Sequence, residues 1–221
     1  MLADALAQEI FEGRHCAFQA EFTDWLSESR RFRTFAEIYA SKIRKKLRLA
    51  RDDESLIDLR CELETAYRLL QEKRFTLEYE KYGAVEGRGP DLTVTYRTHT
   101  LLNVEVTRPR MAGETVDKLM ETLCVKVGQM SAGMLNLLVF YAKGTDAGNL
   151  DHAGKTLRSL AEHKDEAFFT RRRFKTAKDF LRLYQNLSAA ALLSPGLYLW
   201  NNPLAKKPLP DDLRKAIQKS L

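Results

Sequence analysis

The sequence predicts an α/β protein with a mixed central sheet and additional helices at both ends. Apolar and polar side chains alternate over residues 75–80, as is typical of a half-buried strand. Residues 89–108, GPDLTVTYRTHTLLNVEVTR, predict two further short strands joined by a tight turn. The nearly continuous apolar run LNLLVFYA at 135–142 is typical of a buried parallel strand. Helical apolar stripes before and between these strands complete the α/β pattern.

Composition sets broad limits on function. The chain has 221 residues, 44% of them hydrophobic, which suits one domain with additions and a sizeable core. A formal net charge of +6 permits an anionic partner such as nucleic acid without requiring one. The three cysteines have no CxxC spacing, and we expect Cys61 and Cys124, which lie in predicted helices, to be buried, reduced thiols. Since neither a secretory signal nor a bilayer-spanning apolar stretch is recognisable, we expect a cytoplasmic protein without a membrane partner.

Residues 1–51 predict an N-terminal helical extension. Apolar residues recur at helical spacing from Leu2, and Gly13 offers a stop. A later helix carries one apolar face and ends in a basic cluster: Lys42, Arg44, Lys45, Lys46, Arg48 and Arg51. These cations either form a solvated face at a helix C-terminus, where they are favourable, or contact phosphates.

Residues 52–142 predict the α/β core, which opens with a helix. Asp52, Asp53 or Ser55 can cap its first amides. Glu62 lies beside the apolar stripe of this helix, whereas Glu64 is directed away from it. Glu62 is therefore the carboxylate that we expect to reach a cleft beside the sheet.

Two acidic residues meet at one edge of the predicted hairpin. Asp91 precedes the first strand, and Glu105 lies late in the second. Thr107 shares a face with Glu105, about 7 Å along the strand at ~3.4 Å per residue. Because burying unpaired carboxylates is costly, such a pair usually has a cation or a reacting group between its members.

A helix over 115–131 follows the hairpin. Its apolar stripe is flanked by a polar row of Lys118, Thr122, Lys126 and Gln129, and Gly133 ends it before the buried strand.

Residues 143–221 predict a C-terminal helical segment with an edge strand. Residues 143–149 predict a loop, and residues 152–192 a helical region that includes the basic cluster around Arg172 and Arg173. GLYLWNNP at 196–203 is compatible with an edge strand, and a short helix closes the chain. We expect the three segments to form one compact unit.

Over residues 55–142 the pattern resembles the PD-(D/E)XK, or restriction endonuclease-like, nuclease superfamily. The features that carry the resemblance are the α-β-β-β-α-β order, a helix glutamate, the GPD at the second strand and the VEVT at the third. Pro90 and Asp91 match the P-D of the motif, Glu105 matches its second acid, and Glu62 matches the helix glutamate. The resemblance implies an Mg²⁺ or Mn²⁺ site formed by Glu62, Asp91, Glu105 and the Val106 carbonyl.

Thr107 departs from the family pattern, which has lysine at this position. Either another cation replaces it, with Lys126 as our first choice, or the fold is kept and the chemistry is weak or lost. Arg108 is a weaker choice because strand alternation turns it to the opposite face. The resemblance also gives Gln129 a place in orienting substrate or water.

Three functions remain open at this stage. The first is a metal-dependent nuclease acting on DNA or RNA through Asp91, Glu105, Thr107, Lys126 and Gln129. The second is a catalytically weak or inactive nucleic-acid-binding module. The third is a protein-interaction role, for instance as a homodimer or as a toxin or antitoxin partner. For the first two, the residues expected to contact nucleic acid are Lys42, Lys45, Lys46, Arg172 and Arg173.

Overall fold

The computed structural model describes residues 2–14, 16–81, 89–109, 115–194 and 196–221. Within these ranges the chain forms nine helices and six strands. The helices are α1 (Ala3–Phe11), α2 (Gln19–Glu28), α3 (Arg30–Leu49), α4 (Asp53–Leu69), α5 (Thr115–Val127), α6 (Ala147–Glu162), α7 (Glu166–Thr170), α8 (Ala177–Tyr184) and α9 (Asp211–Ser220). The strands are β1 (Phe75–Tyr79), β2 (Leu92–Tyr96), β3 (Thr100–Thr107), β4 (Leu135–Tyr141), β5 (Ala189–Ser194) and β6 (Gly196–Asn201). The predicted α/β class with a mixed sheet is confirmed.

The six strands form one sheet in the order β1-β2-β3-β4-β5-β6. Strands β1, β2 and β3 pair antiparallel, as the tight turn after Tyr96 requires. β3, β4 and β5 pair parallel, and each crossover carries helices. β6 returns antiparallel to β5 as an edge strand, as predicted.

Alternating side chains divide the apolar core between the two faces of the sheet. One face buries Leu92, Val104 and Val139 against the N-terminal helices, α4 and α9. The other face buries Leu138 and Phe140 against α5, α6 and α8. The N-terminal helices thus share one core with the sheet. The polar residues of the candidate site lie at the edge of the sheet, between the helical layers on its two faces.

The helix starts follow from local capping. The Asp52 side chain accepts a hydrogen bond from the Ser55 amide at 2.8 Å and so begins α4. Ser29 caps α3 in the same way. None of the described helices is long and apolar enough to cross a membrane.

The predicted helical region over 152–192 is helical in most of its length, but its end was predicted wrongly. α6 begins earlier, inside the predicted loop, because Asp146 and Asn149 form a reciprocal capping box. The region then breaks into α6, α7 and α8, and its end is strand β5. The SAAALL segment has the composition of a helix former, since alanine has the highest helix propensity. Its burial between β4 and β6 overrides that preference.

The predicted helix over 115–131 ends earlier, at Val127. Gly128 follows directly. The Gln129 amide donates a hydrogen bond to the Lys126 carbonyl, three residues earlier, as in a 3₁₀ turn. A glycine costs about 1 kcal/mol relative to alanine inside a helix, which favours an end here.

Candidate active site at the carboxyl end of β3

The fold places the three predicted carboxylates on separate elements around the end of β3. Glu62 lies on α4, Asp91 directly precedes β2, and Glu105 lies in β3. The Leu92–Val104 pairing sets Asp91 beside the late residues of β3. Asp91 is close enough to both glutamates for charge repulsion to raise their pKa values. Residues that are far apart in the sequence therefore converge here.

Asp91 is fixed by the backbone of the neighbouring strand. Its Oδ2 atom accepts a hydrogen bond from the Val106 amide at 2.8 Å. Burial raises the pKa of Asp91, and the hydrogen bond from Val106 opposes that shift. The carboxylate thus occupies the position that a main-chain acceptor would take if β2 extended two residues further, to Pro90 opposite Val106.

Glu62 is held on two sides. Its Oε2 atom accepts from Lys46 Nζ at 2.6 Å and from the Tyr79 hydroxyl at 2.7 Å. Burial, followed by repulsion from Asp91, raises the pKa of Glu62 to about 7, although Lys46 and Tyr79 favour the charged form. Glu62 therefore exchanges its proton near neutral pH.

Glu105 is paired with the lysine that the sequence singled out. Lys126 Nζ lies 3.0 Å from Glu105 Oε2, and Glu105 is only 7% exposed. Burial raises the pKa of Glu105, and Asp91 adds to that rise while Lys126 opposes it. Lys126 thus projects from α5 to Glu105 near the end of β3.

Acidic groups outnumber basic ones at this site. Lys46 also contacts Glu80, at 2.9 Å, so this single ammonium serves two carboxylates. Lys126 is the second ammonium, and the two lysines face four acidic groups in all. This excess of acidic groups favours either protonation of a carboxylate or the binding of a further cation.

A cavity of about 230 Å³ opens between these groups. It is lined by Asp58, Cys61, Glu62, Asp91, Val106, Thr107, Arg108 and Lys126. Thr107 therefore borders the same space as the acids, while Glu105 touches it only through Lys126. Arg108 is turned toward α4, where it pairs with Glu54 and with Asp58 at 3.2 Å, in agreement with the predicted alternation.

The oxygen donors at this site are of the type that a hard divalent cation prefers, but they are few. Within the described residues, no group of three or more acidic, histidine or cysteine side chains is arranged to hold a metal ion. Carboxylate oxygens of Asp91 and Glu105 and the main-chain oxygen of Val106 are nevertheless the atoms that Mg²⁺ prefers. Mg²⁺ needs only one or two carboxylates and keeps several waters, so these residues fit the ion by chemistry.

Gln129 lies apart from this cavity, and Glu64 forms ion pairs within its own helix. Gln129 falls in the turn after α5 and does not line the cavity. Glu64, expected to point away from the apolar stripe, is 8% exposed and pairs with Arg60 and Arg68 on the same helix. The reason is that α4 is covered on more than one side, so the stripe did not define its whole buried surface.

The basic residues predicted to contact nucleic acid differ in availability. Lys42 donates to the main-chain oxygens of Tyr79 and Glu80 at 2.7 and 3.0 Å, which ties α3 to the end of β1. Lys46 belongs to the carboxylate network described above. Lys45 is exposed on the same helix.

The second basic group is also divided. The Arg172 guanidinium lies 3.6 Å from the centre of the Phe168 ring and donates to the Phe168 carbonyl. Arg173 is exposed. Among the five residues predicted to contact nucleic acid, Lys45 and Arg173 are thus the ones exposed to solvent.

Tyr79 is the contributor that the sequence analysis missed. Its alternation correctly placed the ring in the core, and the ring is 1% exposed. Its hydroxyl reaches Glu62 because Tyr79 is the last inward residue of β1. An inward tyrosine at the end of a strand beside an acidic helix is a signal that could have revealed this contact.

Comparison of the chain with protein-family models, with curated proteins and with solved structures returns no match.

Proposed function

We propose that this chain is a divalent-metal-dependent nuclease with a restriction endonuclease-like core, hydrolysing phosphodiester bonds in DNA or RNA. One observation carries the proposal: Glu62, Asp91 and Glu105 come from separate elements and lie close enough at the end of β3 for Asp91 to act on both glutamates, and Lys126 pairs with Glu105. The order α4-β1-β2-β3-α5-β4, with β3 and β4 parallel, supports the resemblance found in the sequence.

In this proposal the chain supplies the oxygen donors and the surrounding charge. Asp91, Glu105 and the Val106 carbonyl would hold Mg²⁺ or Mn²⁺, and Glu62, which lines the same cavity as Asp91, would contribute through its charge. The bound ion would polarise the phosphoryl oxygen and lower the pKa of a coordinated water. The excess of acidic groups over lysines favours a cation at this site.

Lys126 and Thr107 together replace the motif lysine that this chain lacks. The Lys126 ammonium, 3.0 Å from Glu105, offers positive charge beside the reacting phosphate. The Thr107 hydroxyl borders the cavity and can hold a water by hydrogen bonding, but it brings no charge. Lys126 from the neighbouring helix thus supplies the charge, and Thr107 on the strand supplies the hydrogen bond to water.

The test is cleavage of plasmid, single-stranded DNA and RNA in Mg²⁺ or Mn²⁺. We expect cleavage that requires the metal and falls at least a hundredfold in Glu105→Gln, as for loss of a group that acts on the transition state. Glu62→Gln should also reduce cleavage. Glu64→Gln is the matched control, because Glu64 lies on the same helix with similar side-chain exposure, 11% against 15%. No cleavage of any substrate, or equal cleavage by wild type and Glu105→Gln, refutes the proposal.

A second function is favoured by the ion pairs themselves. Lys46 and Lys126 already neutralise Glu62 and Glu105, and Thr107 carries no charge, as in a nuclease-like module that binds nucleic acid without cutting it. This alternative predicts salt-dependent binding without turnover, because phosphate contacts release counterions.

The exposed cations test that alternative. Reversing the charge of Lys45 or Arg173 should weaken such binding and reduce its salt dependence. Reversal at Lys215, an exposed lysine on α9, is the control. Unchanged affinity in the first two variants would exclude these two cations from the binding surface.

A further inference from the structure

Each of the three carboxylates at the end of β3 is held by the protein through one of its two oxygens. Glu62 accepts both of its hydrogen bonds at Oε2, Asp91 accepts at Oδ2, and Glu105 accepts at Oε2. Within the described residues, the second oxygen of each group accepts no hydrogen bond. Since an ionised carboxylate can accept about four hydrogen bonds, each of the three keeps the capacity for a further partner.

Carboxylates that only join elements of this fold use both of their oxygens. Glu64, on the same helix as Glu62, pairs through Oε1 with Arg68 at 2.7 Å and through Oε2 with Arg60 at 3.1 Å. Glu21 accepts from Arg60 at both oxygens, each at 2.7 Å. The one-sided contacts at the end of β3 therefore differ from the structural ion pairs of the same chain, and they leave an oxygen for a ligand.

Two donors meet at Oε2 of Glu62. The Tyr79 hydroxyl donates to it at 2.7 Å and Lys46 Nζ at 2.6 Å. Lys46 Nζ also lies 4.9 Å from the centre of the Tyr79 ring. Of these three residues, Glu62 lines the cavity of about 230 Å³ described above, whereas Tyr79 and Lys46 do not. The two donors thus hold Glu62 from outside that cavity.

Tyr79 is itself fixed by α3. Its ring is 1% exposed, and its centre lies 5.9 Å from that of Phe35 and 6.0 Å from that of Tyr39. Its main-chain oxygen accepts from Lys42 at 2.7 Å. Because both the ring and the main chain are held, the hydroxyl is a rigidly placed donor. These contacts come from the N-terminal helical extension, outside the residues 55–142 that carry the family resemblance.

We propose that Tyr79 is a positioning residue of the candidate active site: its hydroxyl, together with Lys46, fixes Oε2 of Glu62 and so presents Oε1 to a cation in the cavity. The inference rests on the proposed function, because that function supplies the divalent cation. It gives Glu62 an oriented oxygen in addition to its charge. Outer groups that orient the residues around a metal typically change metal affinity or activity about 10- to 100-fold when they are removed.

The experiment measures Mn²⁺ binding without nucleic acid, by electron paramagnetic resonance of the free ion. The variants are Tyr79→Phe, Glu62→Gln and the double variant. Phenylalanine keeps the ring contacts of Tyr79 and removes only the hydroxyl. Tyr39→Phe is the matched control, because Tyr39 packs against the Tyr79 ring but its hydroxyl takes no part in the hydrogen bonds to Glu62.

We expect Tyr79→Phe to weaken Mn²⁺ affinity about tenfold, at the lower end of the range for such groups, because Lys46 still holds the same oxygen. Tyr39→Phe should change the affinity less than about twofold. In the Glu62→Gln background, Tyr79→Phe should also have an effect below about twofold, since Tyr79 acts through Glu62. A purely structural hydroxyl would lower the melting temperature of the metal-free chain without this dependence on Glu62.

Thermal denaturation of the metal-free variants is the folding control. Equal Mn²⁺ affinity in wild type and Tyr79→Phe, or the same loss with and without Glu62→Gln, overturns the inference. Wild type that binds Mn²⁺ but cleaves no nucleic acid refutes the nuclease and, with the expected loss in Tyr79→Phe, supports the positioning role. No Mn²⁺ binding by wild type at concentrations on the order of 1 mM overturns both.

Discussion

Replacing Lys126 with methionine tests whether the buried pair with Glu105 is as important as its geometry indicates. The pair spans 3.0 Å, with side-chain exposures of 20% for Lys126 and 10% for Glu105. Removing one partner of a buried pair costs about 3–5 kcal/mol, because the other charge is left unpaired. Since Lys126 keeps partial contact with solvent, we expect the lower end, about 3 kcal/mol at pH 8.

The loss should depend on pH in a defined direction. Burial and repulsion from Asp91 already raise the pKa of Glu105 in the folded state, and removing Lys126 raises it further. An unfolded glutamate titrates near about 4.3, so the folded variant holds a proton that the unfolded chain releases above that pH. Its stability therefore falls as pH rises through the folded pKa. Lys126→Met should cost little at pH 5 and most at pH 8.

Urea and thermal denaturation followed by circular dichroism measure both effects. For a chain of this size, about 3 kcal/mol corresponds to a fall of about 6–12 °C in melting temperature. Lys118→Met is the control, because Lys118 forms an exposed pair with Glu121 at 2.9 Å on the same helix. That change should cost less than about 1 kcal/mol. Adding Glu105→Gln to Lys126→Met should recover more than half of the loss.

Two outcomes would refute this reasoning. The first is a loss at pH 8 no larger than that of Lys118→Met. The second is an equal loss at pH 5 and pH 8, which would show that Glu105 is not the group left uncompensated.

Three further variants or conditions test other parts of the structure. Arg31→Ala should lower the free energy of unfolding by about 2–4 kcal/mol, since the Arg31 guanidinium donates to three main-chain carbonyls around the start of β1. A smaller loss than that caused by replacing an exposed arginine of α3 with alanine would contradict this. Gly154→Ala should destabilise by about 1–3 kcal/mol by forcing the Trp200 ring outward, seen as a shift in indole fluorescence; unchanged stability and emission would contradict the close packing. Stabilisation by Mn²⁺ should increase from pH 6 to pH 8, because Glu62 has a pKa of about 7 and loses its proton in that window; a pH-independent effect in thermal shift would exclude its charge from the site.

Periodicity predicted most of the sheet. β1 and the β2–β3 hairpin follow from alternation and turn chemistry, and β4 follows from its apolar run, so the edge where the carboxylates meet was predictable from local patterns. β5 was not, because an alanine-rich segment has no strand-like local preference. Its conformation is set by strands on both sides, which are distant in sequence.

The acidic residues of the candidate site could be predicted from the sequence, whereas its basic residues could be predicted only in part. Asp91 and Glu105 are brought together by strand pairing, which alternation can anticipate. Lys46 was expected at an exposed basic helix end, yet it turns inward to Glu62 and covers the Tyr79 ring at 4.9 Å. Helical periodicity does not reveal which of several neighbouring lysines meets a buried acid, because that depends on how α3 crosses α4.

The hydrogen bond from the Val106 amide to Asp91 gives this carboxylate two duties at once. It carries negative charge into the cavity, and it also completes the ladder where β2 stops. Truncation to alanine would therefore loosen the strand end and remove the charge in one step, so inactivity of that variant would not identify a metal ligand. Asparagine keeps an oxygen for the amide while removing the charge, which makes Asp91→Asn the substitution that separates sheet integrity from cation binding.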